Sequence, residues 1–137
     1  METVFSYGVY GIWFTLISDI TVYDSGTVKC TYEDSETTYQ VSDNVVKEIY
    51  GIINRFPEVM QKYDIFDLWY PYIFDGVKNS FLFNNGEKSN TVVATNLIGF
   101  KDDDSLENKT ADILIQVFGE ITGLLAENGI DRKYLSL

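Results

Sequence analysis

The alternation of apolar and polar residues predicts a β-hairpin near the start of the chain. Residues 16–23 place Ile20 and Val22 on one side and polar side chains on the other, which is the two-residue period of a strand. A turn at residues 24–26 reverses the chain, and residues 28–32 alternate again. The pattern predicts two antiparallel strands with one buried and one solvated face, and it places Cys30 on the buried side.

A third strand and a helix complete the first half of the chain. After a polar turn at residues 33–36, residues 37–41 are predicted to form a short strand. Apolar residues then recur at the three-and-four spacing of one helical face, behind Ser42, whose side chain suits a helix N-cap. The spacing predicts a helix over about residues 43–56. Pro57 ends or kinks this helix, and residues 57–60 can open one further turn.

The second half of the chain repeats this plan. Trp69–Phe74 is predicted to be a strand, and the Asp-Gly pair at residues 75–76 is a two-residue turn signal that leads into a strand at residues 77–83. A further strand is predicted at Ser89–Thr95, and the longest apolar stripe of helical period predicts a helix over about residues 107–128.

These elements predict one α+β domain over residues 1–137. We expect a two-layer sandwich, in which a mainly antiparallel sheet carries both helices on one face. Each half has a three-stranded meander followed by a helix, which suggests a β-β-β-α internal duplication. The tail Ile130–Leu137 is expected to pair as an edge strand or to lie free.

Two glycines stand one helical turn apart in the second predicted helix. Gly119 and Gly123 form a GxxxG pattern, and each costs about 1 kcal/mol of helix propensity relative to alanine. A compensating contact is therefore expected, with a neighbouring element packed closely on the glycines. That neighbour belongs either to the fold itself or to a partner.

The composition excludes several chemistries. The chain of 137 residues is 45% hydrophobic, which is enough for a folded core, although its net charge is −11. It contains no histidine, so histidine bases, histidine metal ligands and Ser-His or Cys-His nucleophiles are all excluded. Cys30 is the only cysteine, so the chain cannot form an intramolecular disulfide or a thiolate metal cluster. We predict no cofactor and no metal.

The charge and the N-terminal sequence bear on location and partners. Glu2 stands where a secretory signal carries a basic residue, and the apolar run Val9–Ile17 has about half of the roughly 20 residues that span a bilayer. We therefore interpret the run as a strand and expect a cytoplasmic protein without membrane contact. The excess of 21 acidic over 10 basic residues argues against direct nucleic-acid binding and favours a basic protein partner.

Aspartates in the middle of the chain are candidate catalytic or metal-binding groups. Asp64, Asp67 and Asp75 are close in sequence, and converging carboxylates can act as acid and base or bind a cation. The simpler interpretation is that the first two solvate a connector and the third serves the turn. The run Asp102–Asp104 lacks the glycine and spacing of a calcium loop, and it is better explained by the dipole of the helix that follows.

The aromatic run Trp69–Phe74 is the most informative candidate for a binding surface. Its tyrosines and tryptophan belong to the residue types that supply binding energy at interfaces, and Pro71 favours a place at the sheet edge. Because a strand alternates its side chains, consecutive bulky residues cannot all face inward. Burial of the rings in the core is the alternative.

We therefore predict a small, non-enzymatic binding module with a basic protein partner. Acidic inhibitors of nucleic-acid-handling proteins, such as toxin-immunity and anti-CRISPR proteins of bacteria and phages, resemble it as a class in charge and size, and some act as nucleic-acid mimics. The residues predicted to bind the partner are Trp69, Tyr70, Tyr72, Asp64, Asp67, Asp102, Asp103 and Asp104. The alternatives are an acidic structural or housekeeping domain and a hydrolase that uses Asp64, Asp67 and Asp75.

Overall fold

The computed structural model describes residues 2–11, 16–61, 78–95 and 106–135. These ranges contain six strands and two helices, with short 3₁₀ turns at Pro57–Met60 and Arg132–Tyr134. The elements are β1 (Thr3–Tyr10), β2 (Leu16–Tyr23), β3 (Thr27–Tyr32), β4 (Ser35–Gln40), α1 (Asp43–Arg55), β5 (Lys78–Asn84), β6 (Ser89–Thr95) and α2 (Leu106–Glu127).

The six strands form one antiparallel sheet in the order β4-β3-β2-β1-β5-β6. The predicted α+β class, an antiparallel sheet with two helices, is confirmed. The single strand expected over Val9–Ile17 is wrong, because Val9 and Tyr10 end β1 whereas Leu16 and Ile17 begin β2. The apolar run therefore belongs to two neighbouring strands.

One face of the sheet is buried beneath aromatic rings. Phe5 and Tyr7 of β1 lie beside Phe83 and Phe81 of β5, with ring centroids 5.9 Å and 4.9 Å apart. Phe118 of α2 completes the group at 4.6 Å from the ring of Tyr7. Such rings bury large apolar areas, so this group is the main source of hydrophobic stabilisation at the centre of the sheet.

The first helix begins and ends close to its predicted bounds. Ser42 is the N-cap, and its hydroxyl accepts a hydrogen bond from the Val45 backbone N–H at 3.4 Å. Pro57 begins a 3₁₀ turn, as the prediction of one further turn requires. Helix α1 contacts α2, β1 and β5. Together with the place of Phe118, these contacts support the expected packing of both helices on one face.

The pairing of β5 contradicts a simple internal duplication. The predicted strand Trp69–Phe74 and the turn at residues 75–76 lie outside the described residues. Both edges of β5 are occupied, by β1 along residues 78–83 on one side and by β6 along the whole strand on the other. A second β-β-β meander would need the strand before β5 as its neighbour, whereas that place is taken by the first strand of the chain.

The C-terminal tail is neither an edge strand nor free over its described part. Ile130, Tyr134 and Leu135 are buried, and the 3₁₀ turn at Arg132–Tyr134 contacts β2 and β3. The Tyr134 hydroxyl lies 3.0 Å from Thr37 Oγ1 in β4. Apolar burial outweighs the polar character of the tail, which therefore covers the β2-β3-β4 part of the buried face.

The glycine pair of α2 makes no close contact with the described part of the fold. A Cβ placed on Gly119 or Gly123 would meet no described atom within 4 Å. Close packing against another described element is therefore wrong, and contact with a partner stays a prediction.

Candidate partner-binding surface

Every residue predicted to bind the partner lies outside the described ranges. This applies to the aromatic residues Trp69, Tyr70 and Tyr72 and to the acidic residues Asp64, Asp67, Asp102, Asp103 and Asp104. Asp75, the third carboxylate of the hydrolase alternative, is also outside them. Their convergence into one surface stays a prediction.

An acidic turn stands at the end of the β3-β4 hairpin. Tyr32 pairs with Ser35, so that Glu33 and Asp34 form a two-residue turn and β4 starts two residues earlier than predicted. Glu36 follows within β4, and the three carboxylate residues are exposed. Within the described part of the chain, their side chains make no ion pair or hydrogen bond. No described residue therefore neutralises their negative charge.

The backbone of this turn is strained at Glu33. Its φ is 55°, a left-handed conformation that hairpin turns usually assign to glycine or asparagine. A side chain with a Cβ loses about 1–2 kcal/mol in that conformation. Since no described contact of the carboxylate compensates for the strain, a glutamate at this position lowers stability through its backbone conformation.

Exposed apolar side chains lie at the same end of the sheet. Leu16, Ile17 and Tyr32 are 40%, 39% and 37% exposed, which is unusual for large apolar residues within strands. The Glu33 N–H donates to the Ile17 carbonyl at 3.1 Å, which joins the start of β2 to the acidic turn. We define the hairpin end as Leu16, Ile17, Tyr32, Glu33, Asp34 and Glu36. It combines Tyr32, a residue type that anchors interfaces, with carboxylates that have no described ion pair.

Strand β4 forms one edge of the sheet and has no described strand on its outer side. Tyr32 and Ser35 flank a two-residue turn and so form a hydrogen-bonded pair, and at the far end Val41 N–H donates to the Gly26 carbonyl at 2.8 Å. Hydrogen-bonded and non-hydrogen-bonded pairs alternate along an antiparallel ladder. Every second residue of β4 therefore directs its backbone N–H and C=O away from β3, namely Glu36, Thr38 and Gln40.

The opposite edge strand, β6, is contacted by the 3₁₀ turn Pro57–Met60. The Asn90 side-chain amide of β6 donates to the backbone carbonyls of Val59, at 2.8 Å, and Gln61. The segment that follows α1 is thus held against β6 by side-chain hydrogen bonds.

A groove lies between the helices on the described surface. It has a volume of about 360 Å³ and is lined by Glu48, Gly51, Ile52, Arg55 and Leu124. Arg55 is already paired with Glu120 at 2.8 Å. The groove thus offers one carboxylate and an apolar floor, which do not form an acid–base pair or a metal site.

The buried titratable groups are unsuited to catalysis near neutral pH. Burial raises the pKa of Tyr7 far above its usual range, and its hydroxyl accepts a hydrogen bond from Asn79 at 2.9 Å. Burial, with a smaller contribution from the charge of Asp19, raises the pKa of the Cys30 thiol to about 12. The predicted inward position of Cys30 is confirmed. Both groups stay protonated and structural.

The described ranges contain no group of three or more His, Cys, Asp or Glu residues that could hold a metal ion. None of the helices in those ranges is long and apolar enough to cross a membrane. No protein-family model matches the chain, and no curated protein matches it.

The hairpin end was not among the predicted site residues. Its signal in the sequence is weak, because Glu33-Asp34 lacks the glycine or asparagine of a tight hairpin and the turn was therefore predicted to be longer. Alternation did predict that Tyr32 belongs to a strand, but not that the strand ends beside two exposed apolar residues of β2.

Proposed function

We propose that the protein is a non-enzymatic acidic module that binds a basic partner protein. The observation that carries this proposal is the hairpin end, where the carboxylates of Glu33, Asp34 and Glu36 have no described ion pair and Tyr32, which precedes the turn, is 37% exposed. The same end of the sheet provides apolar contact from Leu16 and Ile17.

The charge distribution favours a basic partner on physical grounds. A net charge of −11 on 137 residues produces a field that accelerates association with basic surfaces and repels phosphate backbones. Carboxylates that pair with none of the described residues can form charge-assisted hydrogen bonds with arginine and lysine of another protein. Tyr32 supplies the kind of ring that anchors interfaces.

The finer proposal is that the partner handles nucleic acids and that binding inhibits it in the cytoplasm. Proteins that bind nucleic acids carry lysine and arginine along the surface that contacts phosphates. An acidic module that occupies this surface blocks it, as toxin-immunity and anti-CRISPR proteins do. The net charge of −11 and the small size of the chain support this class.

The proposal is tested by capturing the partner from the native cell extract with a charge-reversed variant as comparison. Glu33→Lys, Asp34→Lys and Glu36→Lys are combined in one variant. The matched control combines Glu48→Lys, Asp112→Lys and Glu127→Lys, which change three exposed helix residues by the same total charge. We expect the wild type and the control to retain a stoichiometric basic protein that salt releases, and the hairpin variant to lose it.

The outcomes separate a local surface from a general effect of charge. If the control loses the partner as completely as the hairpin variant does, binding depends on net charge and the hairpin end is not the site. If neither the wild type nor the control captures a basic protein at low salt, the proposed function is wrong.

A further inference from the structure

The outer edge of β4 is open to another strand. Glu36, Thr38 and Gln40 direct their backbone N–H and C=O groups away from β3, and the described part of the chain places no strand against them. We infer that β4 accepts an extended basic segment of the partner as an additional antiparallel or parallel strand. This inference rests on the proposed function and specifies how the partner binds.

The β4 edge has one of the usual protections against strand addition, a charged side chain, and lacks the others. Natural edge strands use charged side chains, above all lysine, and also proline or a bulge to prevent another strand from pairing. Strand β4, Ser-Glu-Thr-Thr-Tyr-Gln, contains Glu36 but no lysine or proline, and its register with β3 is uninterrupted. The edge formed by β6, by contrast, is contacted by the 3₁₀ turn at Pro57–Met60. An open, regular edge is the geometry that peptide-binding domains use for strand addition.

The charges beside β4 select a basic segment over a neutral or acidic one. We call the face of the sheet opposite the buried aromatic rings the open face. On it, Glu36 pairs with Thr31, which in turn pairs with Asp19 of β2. Glu33 and Asp34 lie just beyond Glu36 in the turn. A lysine or arginine opposite Glu36 in an added strand would therefore meet several carboxylates and form charge-assisted hydrogen bonds.

The other face sets a different requirement. Thr37 and Tyr39 of β4 lie on the side of Tyr134, whose neighbour Lys133 has its ammonium group 5.0 Å from the centre of the Tyr134 ring. Basic side chains on this side would approach Lys133 and be repelled. The fitting segment thus places a basic residue opposite Glu36 on the open face, away from Lys29, which pairs with Thr38 on that face, and uncharged residues on the face of Tyr39.

A second copy of the chain fits the edge poorly. Each copy carries a net charge of −11, so the approach of two β4 edges brings two strongly negative surfaces together. An antiparallel pair centred on Thr38 would place Glu36 of each copy opposite Gln40 of the other, with no basic partner for the carboxylate. Charge complementarity therefore favours a basic segment of a different protein.

The test uses a capped synthetic peptide in which lysine and valine alternate, and it follows backbone amide hydrogen exchange in the whole protein. We expect the peptide to protect the outward N–H groups of Glu36, Thr38 and Gln40. The N–H groups of Thr37 and Tyr39 already bond to β3, so their protection should change little. A peptide of alternating glutamate and valine should not bind.

Two variants separate strand addition from charge attraction. Thr38→Pro removes an outward N–H without removing a bond to β3, and it should weaken peptide binding about tenfold or more. Thr38→Val keeps the N–H and should bind as the wild type does. If Thr38→Pro fails to fold, the same loss is expected when the peptide is N-methylated at alternate backbone nitrogens and the protein is unchanged.

Three results would overturn the inference. The first is no binding of the lysine-valine peptide to the wild type. The second is binding that neither N-methylation nor Thr38→Pro weakens; the proposed charge-driven function would then stand without strand addition. The third is concentration-dependent protection of Glu36, Thr38 and Gln40 without peptide, which would assign the edge to a second copy. Failure of the proposed function is recognised separately, when neither the wild type nor the control variant captures a basic protein at low salt.

Discussion

The two edge strands of the sheet differ in what lies against them. The 3₁₀ turn Pro57–Met60 contacts β6, and the side-chain amide of Asn90 donates to the Val59 carbonyl. At β4, the outer backbone groups face no described strand, and the adjacent turn carries Glu33 and Asp34 without described ion pairs. An open edge is a hazard for aggregation, and charge beside it is one way in which proteins reduce that hazard.

The largest difference in the free energy of unfolding is expected between a variant of the core and a variant of the hairpin end. Phe81 of β5 is fully buried against Tyr7 and Phe118, so Phe81→Ala should lower the free energy of unfolding by about 3–5 kcal/mol. Tyr32→Ala, at the hairpin end, should change it by about 0.5 kcal/mol or less because the ring is more than a third exposed. Urea denaturation of both variants measures the contrast. Equal losses would show that Tyr32 is a core residue.

The contact between the Pro57–Met60 turn and β6 should depend on Asn90. Its side-chain amide donates to the carbonyls of Val59 and Gln61, and Asn90→Ala leaves both without that donor. We expect a loss of about 1–2 kcal/mol in the free energy of unfolding. Hydrogen exchange should also accelerate in the Pro57–Met60 turn while β4 is unaffected. Unchanged exchange in that turn would mean that Asn90 does not hold it.

A hydrogen bond between Thr37 and Tyr134 holds β4 to the C-terminal 3₁₀ turn, and its contribution to stability should be smaller. Tyr134→Phe removes the hydroxyl that lies 3.0 Å from Thr37 Oγ1 and keeps the ring against Tyr39. The expected loss is about 1 kcal/mol. Thr37→Val removes the same hydrogen bond from the other side, so the double variant should lose little more than either single variant. Additive losses in thermal denaturation would contradict the contact.

The smallest expected change is a gain in stability at the acidic turn. Glu33→Gly relieves the strain at φ 55° and should stabilise the fold by about 0.5–1 kcal/mol in urea denaturation. The same variant should bind the captured partner more weakly, because it removes one of the unpaired carboxylates. A variant that is less stable than the wild type would show that Glu33 has a structural contact.

Local periodicity predicted most elements of the described fold closely. The alternation around Ile20 and Val22 and the helical spacing behind Ser42 are each decided within one element, so the sequence alone was sufficient. The position of β1 between β2 and β5 depends on pairing between residues distant in the chain, which no local pattern reports. The internal duplication was inferred from local similarity and was wrong for that reason.

The candidate site was less predictable than the fold. The aromatic run Trp69–Phe74 and the run Asp102–Asp104 were chosen for their composition, and they lie outside the described residues. The hairpin end depends on two facts of tertiary structure, the tight turn at Glu33 and the exposure of Ile17 beside it. Composition and spacing do not contain either fact, since a glutamate at positive φ contradicts the usual turn preference.

Binding of the basic partner at the β4 edge is tested most directly by an amide hydrogen-exchange map of the wild-type protein alone and in complex with the captured partner. We predict that protection increases at Tyr32–Gln40, most strongly at the outward N–H groups of Glu36, Thr38 and Gln40. Exchange in the groove lined by Glu48 and Leu124 should be unchanged. Protection confined to the helix groove or to β6, with Tyr32–Gln40 exchanging as in the free protein, would contradict this prediction.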